Sequence, residues 1–563
     1  MKMKMKQFIY FYKIFVILFI VIFIYNSELN AQNDNIDNID NIDKETKGSI
    51  ASRGSIYDAK GRILAYSKKI YCVSVFPSLI KNKNTLSKTL SKLLNIKKSI
   101  IDEKIKLAEK HKKKKILIER DISDNQYNSI KKLEVNMPSL KTYYIYGRVY
   151  PNKKLAAHVI GYIESTNYEK NMSELGYYDY LNDEIVGKAG LEYQFEADLK
   201  EGNDIHTTIN MDIQEIVEKA FNKENGAVVV LDYDNADILA MYSCPSFDPN
   251  IFAPPKDDDT IKNIFKIDGL LINKAISAQF PLGSNFKVVT AISALENEII
   301  TPKHKYTCKG YFKLNDKSRS YKCHYAKGHG TLDLVNAIKH SCNVYFYNLA
   351  YQTGVENISN TALSYGLGMQ TGVDLPYEKS GVIPSSEWIN EHRKNKWYAG
   401  ETVIVGIGQG PILATPLQNA IVFHTIANGG KRYRPRIIKE ISYEDGAMVF
   451  QSEVVDELST PKAVLKTIQK GLELVPTNGG TAYSVFKKAK YKIAGKTGTA
   501  ESSMVVKEKG KEREITHTWF SCYGPLPNPK IVVVVFNFDG YSGEISSAPI
   551  AKRIFDAYLK LKN

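Results

Sequence analysis

The sequence predicts a chain of α+β to α/β class in three parts. These are an N-terminal transmembrane helix, a mixed platform domain, and a C-terminal domain with one sheet flanked by helices. Three observations predict it. Phe8 to Tyr25 is almost wholly apolar. Strand-like runs near Ile56 are followed by lysine- and leucine-rich helical spacing through residues 84–135. In the last part, short apolar runs stand at both ends of a long helical middle, which puts them in one sheet with helices packed on it.

The first element is the apolar run Phe8 to Tyr25, whose only charge is Lys13. Its length is close to the minimum for a bilayer span, and Lys13 can snorkel. Lys2, Lys4 and Lys6 ahead of it put the N-terminus in the cytoplasm. The rival is a cleaved signal peptide, for which the apolar part is long. Residues 1–26 are therefore read as cytoplasmic tip and anchor, in the inner membrane and single-pass. The rest of the chain is expected on the periplasmic side. Residues 27–50 include three Asn-Ile-Asp repeats with little to bury, and read as a linker.

The second element is the platform, residues 51–203. Asp58-Ala-Lys-Gly61 is a turn between two strand-like runs, a hairpin signal. Leu86, Leu90, Leu93 and Leu94 fall at helical spacing. Nothing in this stretch forms a catalytic set. The third element, 204–563, opens with the buried-strand pattern Gly226 to Asp232, a turn at Asp234 to Asp237, and a returning strand Ile238 to Ser243. Helical patterns fill 270–430. Strands return at Tyr491 to Ala494, His517 to Tyr523 and Ile531 to Phe538, and a helix covers Ala548 to Lys560.

The charge balance is 76 basic against 61 acidic side chains, a formal +15. The lysines are scattered among asparagines and isoleucines. The densest run, Lys112 to Lys115, reads as a solvated face, so nucleic acid is not expected as a partner. Six cysteines in 563 residues make no disulfide scaffold.

Chemistry gathers in three short motifs. Ser284 and Lys287 stand three residues apart, so a helix would put hydroxyl and amine on one face. A desolvated lysine can serve as the base that a serine nucleophile needs. Ser341-Cys-Asn343 follows 57 residues later, ahead of an apolar helix. Its hydroxyl can relay a proton to a leaving amine, and its amide can hold a substrate amide. Lys496-Thr497-Gly498-Thr499 lies on a strand and offers a cation and hydroxyls to a carboxylate. Gly498 is expected to let a substrate backbone come close. Backbone N–H groups at the helix start and strand edge can form an oxyanion hole.

In this order and spacing the three motifs resemble those of the penicillin-binding proteins and serine β-lactamases. The chain is most similar to the class B, monofunctional, high-molecular-weight penicillin-binding proteins. Arg53-Gly-Ser-Ile-Tyr-Asp58, Arg148-Val-Tyr-Pro151 and Gly187-Lys-Ala-Gly-Leu-Glu192 resemble that class's pedestal motifs. Gly406-Ile-Gly-Gln-Gly410, Ala414-Thr-Pro-Leu-Gln418 and His517-Thr-Trp519 resemble its transpeptidase motifs. Asn210 departs from the aspartate usual in relatives, and a structural effect is expected. The resemblance implies a penicillin-binding (serine β-lactamase-like) transpeptidase domain on a pedestal. It implies peptidoglycan D,D-transpeptidation, with β-lactams as inhibitors and stem peptides as substrates. Ser284 would attack D-Ala-D-Ala, with Lys287 as base and Ser341 as proton shuttle. Asn343 would orient Lys287 or the substrate amide. Lys496, Thr497 and Thr499 would hold the terminal carboxylate, and the N–H groups of Ser284 and Thr499 the oxyanion. A SEDS-type glycosyltransferase and a shape-determining scaffold are the implied membrane partners.

Cys308, Cys323, His329 and Cys342 lie within 35 residues, with His329 in a Gly-His-Gly turn. Three cysteines and a histidine complete a tetrahedral zinc set, closed and therefore structural. A disulfide, or neither, stays open. Some elongation-type family members resemble this chain in having metal ligands at matching positions, which implies zinc and rod-shape elongation over septation. Cys72, Cys244 and Cys522 read as small buried residues. A β-lactamase or carboxypeptidase is the enzymatic rival, but the platform argues against it. A penicillin sensor or scaffold is the non-enzymatic rival, and would carry damaged motifs.

Overall fold

The structure is a computed structural model that describes residues 52–561 apart from 166–184, 223, 254–257, 394–395 and 509–510. The apolar run Phe8 to Tyr25 and the linker 27–50 lie outside the described residues. Among the described residues no helix is long and apolar enough to cross a membrane.

Two compact units form. The smaller is built on residues 70–146. There Tyr71–Val75 pairs antiparallel with Ile116–Ile122. Helices Lys83–Leu94, Lys98–Lys110 and Asp124–Leu133 close a core of Val73, Leu90, Ile101, Ile118 and Ile130. The strand Ile116–Ile122 inside the stretch read as helical is a correction. Its alternation of buried and part-buried residues has period two, and the flanking lysines mask it.

The larger unit takes in 52–69, 147–165 and 185–561 of the described residues, so its boundary differs from the expected division at 203/204. Backbone pairing explains the difference. Ile56–Tyr57 runs parallel to Asp204–Thr207, which in turn pairs with Ile438–Tyr443. Buried charge adds to it. Glu192, fully buried, accepts from Arg53 Nε at 2.7 Å and Arg148 Nε at 2.6 Å, and from the Tyr150 hydroxyl at 3.2 Å. Burial pushes the Glu192 carboxyl up, and the two guanidinium groups outweigh it and hold the group below its usual range. One carboxylate thus joins Arg53, Arg148 and Glu192, three residues from separate stretches of the chain. The hairpin at Asp58 forms as expected, with Gly61 at φ 76° in its turn. Asn210 caps the helix Met211–Phe221, accepting from the amides of Asp212 and Ile213. An aspartate would cap as well, so the substitution is conservative in this role.

The catalytic half is a five-stranded antiparallel sheet. Its strands are β1 (Gly226–Asp232), β2 (Ile238–Cys244), β3 (Lys492–Glu508), β4 (Lys511–Leu526) and β5 (Ile531–Asn537), in the order β3-β4-β5-β1-β2. Strands from both ends of the segment meet because β5, buried at every residue, pairs with β1. β3 and β4 run longer than expected. Their charged tips, from Val505 with Glu514 to Glu508 with Lys511, stay paired beyond the apolar stretch that flags a strand. Four helices frame the site: α1 (Lys287–Glu296), α2 (Asn343–Thr353), α3 (Pro416–Ala427) and α4 (Ala548–Leu561). α3 is buried along its whole length, as an all-round apolar helix must be. Cys72, Cys244 and Cys522 are buried free thiols.

Candidate active site

Ser284 sits in a 3₁₀ turn, Gly283–Asn285, that runs straight into α1. Three glycines make the turn possible. Gly283 has φ 52° and donates its N–H to the Gly408 carbonyl at 2.9 Å. A Cβ on Gly408 would stand 2.2 Å from the Gly283 carbonyl oxygen. A Cβ on Gly498 would meet Asn285 Nδ2 at 2.5 Å and the Leu282 oxygen at 3.0 Å. Gly498 is therefore small so that β3 can lie against the nucleophile turn, a reason beyond the substrate approach expected from the motif. Trp519 Nε1 donates to the Pro281 carbonyl at 2.9 Å and pins the turn from β4.

Lys287 opens α1 and is fully buried. Its Nζ donates to the Ser341 carbonyl at 2.7 Å, Asn343 Oδ1 at 2.6 Å and Ser341 Oγ at 3.3 Å. Those are the three acceptors an ammonium needs. No hydrogen bond joins Lys287 to the half-buried Ser284 among the described residues, although the two are three positions apart. Burial lowers the Lys287 amine to about 8, against a smaller upward pull from Cys342 and Cys323. The amine thus changes charge close to neutral pH, where a general base is most useful.

Ser341 has φ 53°, rare for a residue with a side chain, and is buried. That conformation turns its hydroxyl between two amines, because Lys496 Nζ donates to the same oxygen at 2.8 Å. Lys496 also donates to the Thr497 carbonyl at 2.9 Å. Burial, then repulsion from Lys287, holds the Lys496 amine well below its ordinary value. A proton can pass Lys287–Ser341–Lys496 along two hydrogen bonds. Thr497 Oγ1 lies 2.7 Å from Thr481 Oγ1, and Thr499 Oγ1 accepts from the Gly543 amide at 3.2 Å. β3 is the edge strand of the sheet, and at Thr499 it runs against Gly283.

Cys308, Cys323, His329 and Cys342 come together, with their ligand atoms all within 4.8 Å of one another. The two cysteine-to-histidine separations are 3.7 Å for Cys308 and 3.6 Å for Cys323. Bonds of about 2.3 Å to sulfur and about 2.0 Å to nitrogen at tetrahedral angles require roughly 3.5–3.8 Å between ligands; these two separations meet that, and the donor types are those of zinc. All three cysteines are free thiols, and no disulfide links them. Cys342 also caps α2, its sulfur accepting from the Tyr345 amide at 3.5 Å.

The structure therefore brings together Ser284, Lys287, Ser341, Asn343, Lys496, Thr497, Gly498 and Thr499. Motif reading did not single out Thr481 or Asn285, and it named Gly408 and Trp519 only inside Gly406-Ile-Gly-Gln-Gly410 and His517-Thr-Trp519, without a role. Asn285 is buried with neither amide atom paired. For Gly408 the signal was available, since it sits inside Gly406-Ile-Gly-Gln-Gly410. For Thr481 and Trp519 only the fold shows the contact.

The family model described as penicillin binding protein transpeptidase domain matches residues 226–556, and that of the penicillin-binding protein dimerisation domain matches 49–231. The peptidoglycan D,D-transpeptidase MrdA of Haemophilus influenzae is 30% identical over 554 residues, covering 90% of this chain and 84% of the relative. Penicillin-binding protein PBP2 of Helicobacter pylori superposes with a TM-score of 0.75 at 25% identity, over 91% of this chain and 98% of that one. The same H. pylori protein in complex with MreC gives 0.74 at 24%, over 91% and 98%. A chain from a structure titled for the coordination of polymerization and crosslinking by a peptidoglycan synthase complex gives 0.71 at 26%, over 91% of each chain.

Proposed function

The chain belongs to the penicillin-binding protein family of transpeptidases, and from that premise we propose that it crosslinks peptidoglycan through an acyl-enzyme on Ser284. It is a peptidoglycan D,D-transpeptidase, a target of β-lactams, and acts in cell elongation. The observation that carries the chemistry is the Ser341 hydroxyl held between two buried lysine amines, beside the turn that presents Ser284.

In the acylation step Ser284 Oγ attacks the carbonyl between the two D-alanines of a stem peptide. The C–N bond breaks, and an ester to Ser284 and free D-alanine result. Lys287 takes the serine proton. It can do so once one of its own protons has moved on, and the 3.3 Å contact to Ser341 Oγ is the weakest of its three bonds. Ser341 passes a proton to the leaving nitrogen. Lys496, Thr497 and Thr499 hold the terminal carboxylate, and the N–H groups of Ser284 and Thr499 receive the oxyanion. An amine of a neighbouring strand then attacks the ester and frees Ser284. Ser284→Ala in a strain lacking the native protein should abolish crosslinking and leave the cells unable to hold their shape. Rescue by that variant would overturn the enzyme reading. Depletion should give round cells; filaments would favour a septal role.

Zinc fits the Cys308, Cys323, His329 and Cys342 donor set, where it would supply a fixed tetrahedral node and no chemistry. The ligands are the residue after Ser341 and the loops that lead to it, so the metal would hold the shuttle serine in its φ 53° conformation. Elemental analysis of the purified chain should find about one zinc, lost in Cys323→Ser, and chelation should slow acylation of Ser284. A metal-free chain with unchanged acylation would contradict this. The apolar run Phe8 to Tyr25 supports a single-pass anchor in the inner membrane with a periplasmic catalytic domain. The H. pylori complex with MreC supports a scaffold partner, and the synthase complex that couples polymerization to crosslinking supports a polymerising partner, for which the family resemblance implies the SEDS type.

A further inference from the structure

Between the ligands Cys308 and His329, residues 309–327 carry Lys309, Lys313, Lys317, Arg319, Lys322 and Lys327 against Asp316 alone. Six positive and one negative charge leave +5, a third of the chain's formal +15 in 19 of its 563 residues. All six cations are exposed. None makes an ion pair among the described residues. Elsewhere in the larger unit, Arg432, Arg434, Arg436 and Arg513 each meet a carboxylate. Residues 80–98 also carry six lysines and no acid, but Lys83 and Lys98 there reach Glu109 and Asp102. What sets 309–327 apart is that none of its six cations finds an acid among the described residues.

The segment is also held firmly beside the site. Tyr311–Phe312 and Tyr321–Lys322 pair as a hairpin. Phe312 and Tyr321 are buried, with their rings 6.3 and 5.6 Å from that of Tyr347 on α2. The Tyr347 hydroxyl donates to the Lys322 carbonyl at 3.3 Å. α2 starts at Asn343, and Lys309 and Lys322 each adjoin a cysteine whose sulfur lies within 4.8 Å of that of Cys342. The hairpin that carries the cations therefore packs on the helix that begins at the shuttle motif. The exposed apolar side chains of the segment are Tyr311 and Tyr325, about half exposed. Both end in a hydroxyl. They give flat faces suited to sugar rings and no aliphatic wedge for a bilayer.

We propose that the hairpin segment 309–327 is a landing surface for a polyanionic glycan strand, binding the free carboxylates of its stem peptides and delivering them to Ser284. This rests on the peptidoglycan reading above and adds where the polymer first docks. Field lines from an unpaired cationic face raise capture of an anionic polymer and fade with salt.

The test uses the full chain and the triple variant Lys313→Glu, Lys317→Glu, Arg319→Glu, with the corresponding glutamine variant as an intermediate. Purified uncrosslinked glycan strands are co-sedimented with each protein across a salt series. The charge reversal should weaken strand binding by about tenfold at low salt and flatten its salt dependence, with glutamine in between. Acylation by a fluorescent penicillin, which carries no glycan strand to dock, should stay within about twofold and certifies folding. Unchanged strand binding overturns the proposal. So does loss of binding to anionic phosphatidylglycerol vesicles with strand binding intact, which would make the face a lipid contact. Failure of penicillin to acylate the unmodified chain would strike the transpeptidase reading instead, and the sedimentation result would still decide the surface.

Discussion

Ser341 Oγ stands 2.8 Å from Lys496 Nζ and 3.3 Å from Lys287 Nζ, and both amines are shut off from water. Two ammonium ions at one oxygen would repel, so burial and proximity both favour giving up a proton. For Lys287 the direction has a kinetic consequence. The neutral amine is the base, and it is the minor form below about 8. Acylation of Ser284 by a β-lactam should therefore rise with pH and reach half its maximum near pH 8, read from second-order rates across a pH series. A rate that is flat through that range would remove Lys287 from the role. The sequence named both lysines and the serine from their motifs. It did not show that Ser341 would need a left-handed backbone, because that conformation is set by the turn between Ile338 and α2.

At the scale of elements, the site is an assembly of a helix start against a sheet edge, and glycine decides how close they come. Gly498→Ala would place a methyl group 3.0 Å from the Leu282 carbonyl and 2.5 Å from the Asn285 amide. The carbonyl is backbone and cannot step aside. Such overpacking should cost about 1–3 kcal/mol in unfolding free energy. It should slow acylation as well, because the atoms pushed belong to the Ser284 turn; denaturant unfolding and penicillin labelling check the two effects. An alanine variant as stable and as fast as the parent would show that β3 has room. Reading the strand motif alone assigned that space to the substrate, since a motif states which residue is small but not what lies opposite it. Strands β1 and β5 were legible because each carries an unbroken apolar run, Ala227 to Leu231 and Ile531 to Phe536. The strand Ile116–Ile122 and the tips of β3 and β4 were not, since charge there follows solvent exposure and hides the backbone pairing.

At the scale of the whole molecule, order spreads from buried polar nodes that link distant stretches of chain. His158 and His424 are two of them, each donating its Nε2–H to a backbone carbonyl, of Leu270 and Tyr233 respectively. Burial lowers both to about 4, from an unfolded value near 6.5. The unfolded chain therefore binds protons that the fold refuses, and the histidines' contribution to stability is whole above 6.5 and lost as pH falls toward about 4. The melting temperature should drop through that window, and less so when His424 is replaced by asparagine. The domain boundary was the least legible feature at this scale. The pairing of Ile56–Tyr57 with Asp204–Thr207 spans nearly 150 positions and leaves no local signature. The four-ligand cluster was legible from composition alone, because soft ligands crowd into 35 residues.

The central claim is that Ser284 is the nucleophile. Intact-mass measurement of the purified chain after exposure to benzylpenicillin, followed by peptide mapping, tests it most directly. One penicilloyl group per chain is predicted, on the peptide containing Ser284 and absent from Ser284→Ala. An adduct at another residue, or one that persists in the alanine variant, would contradict the account.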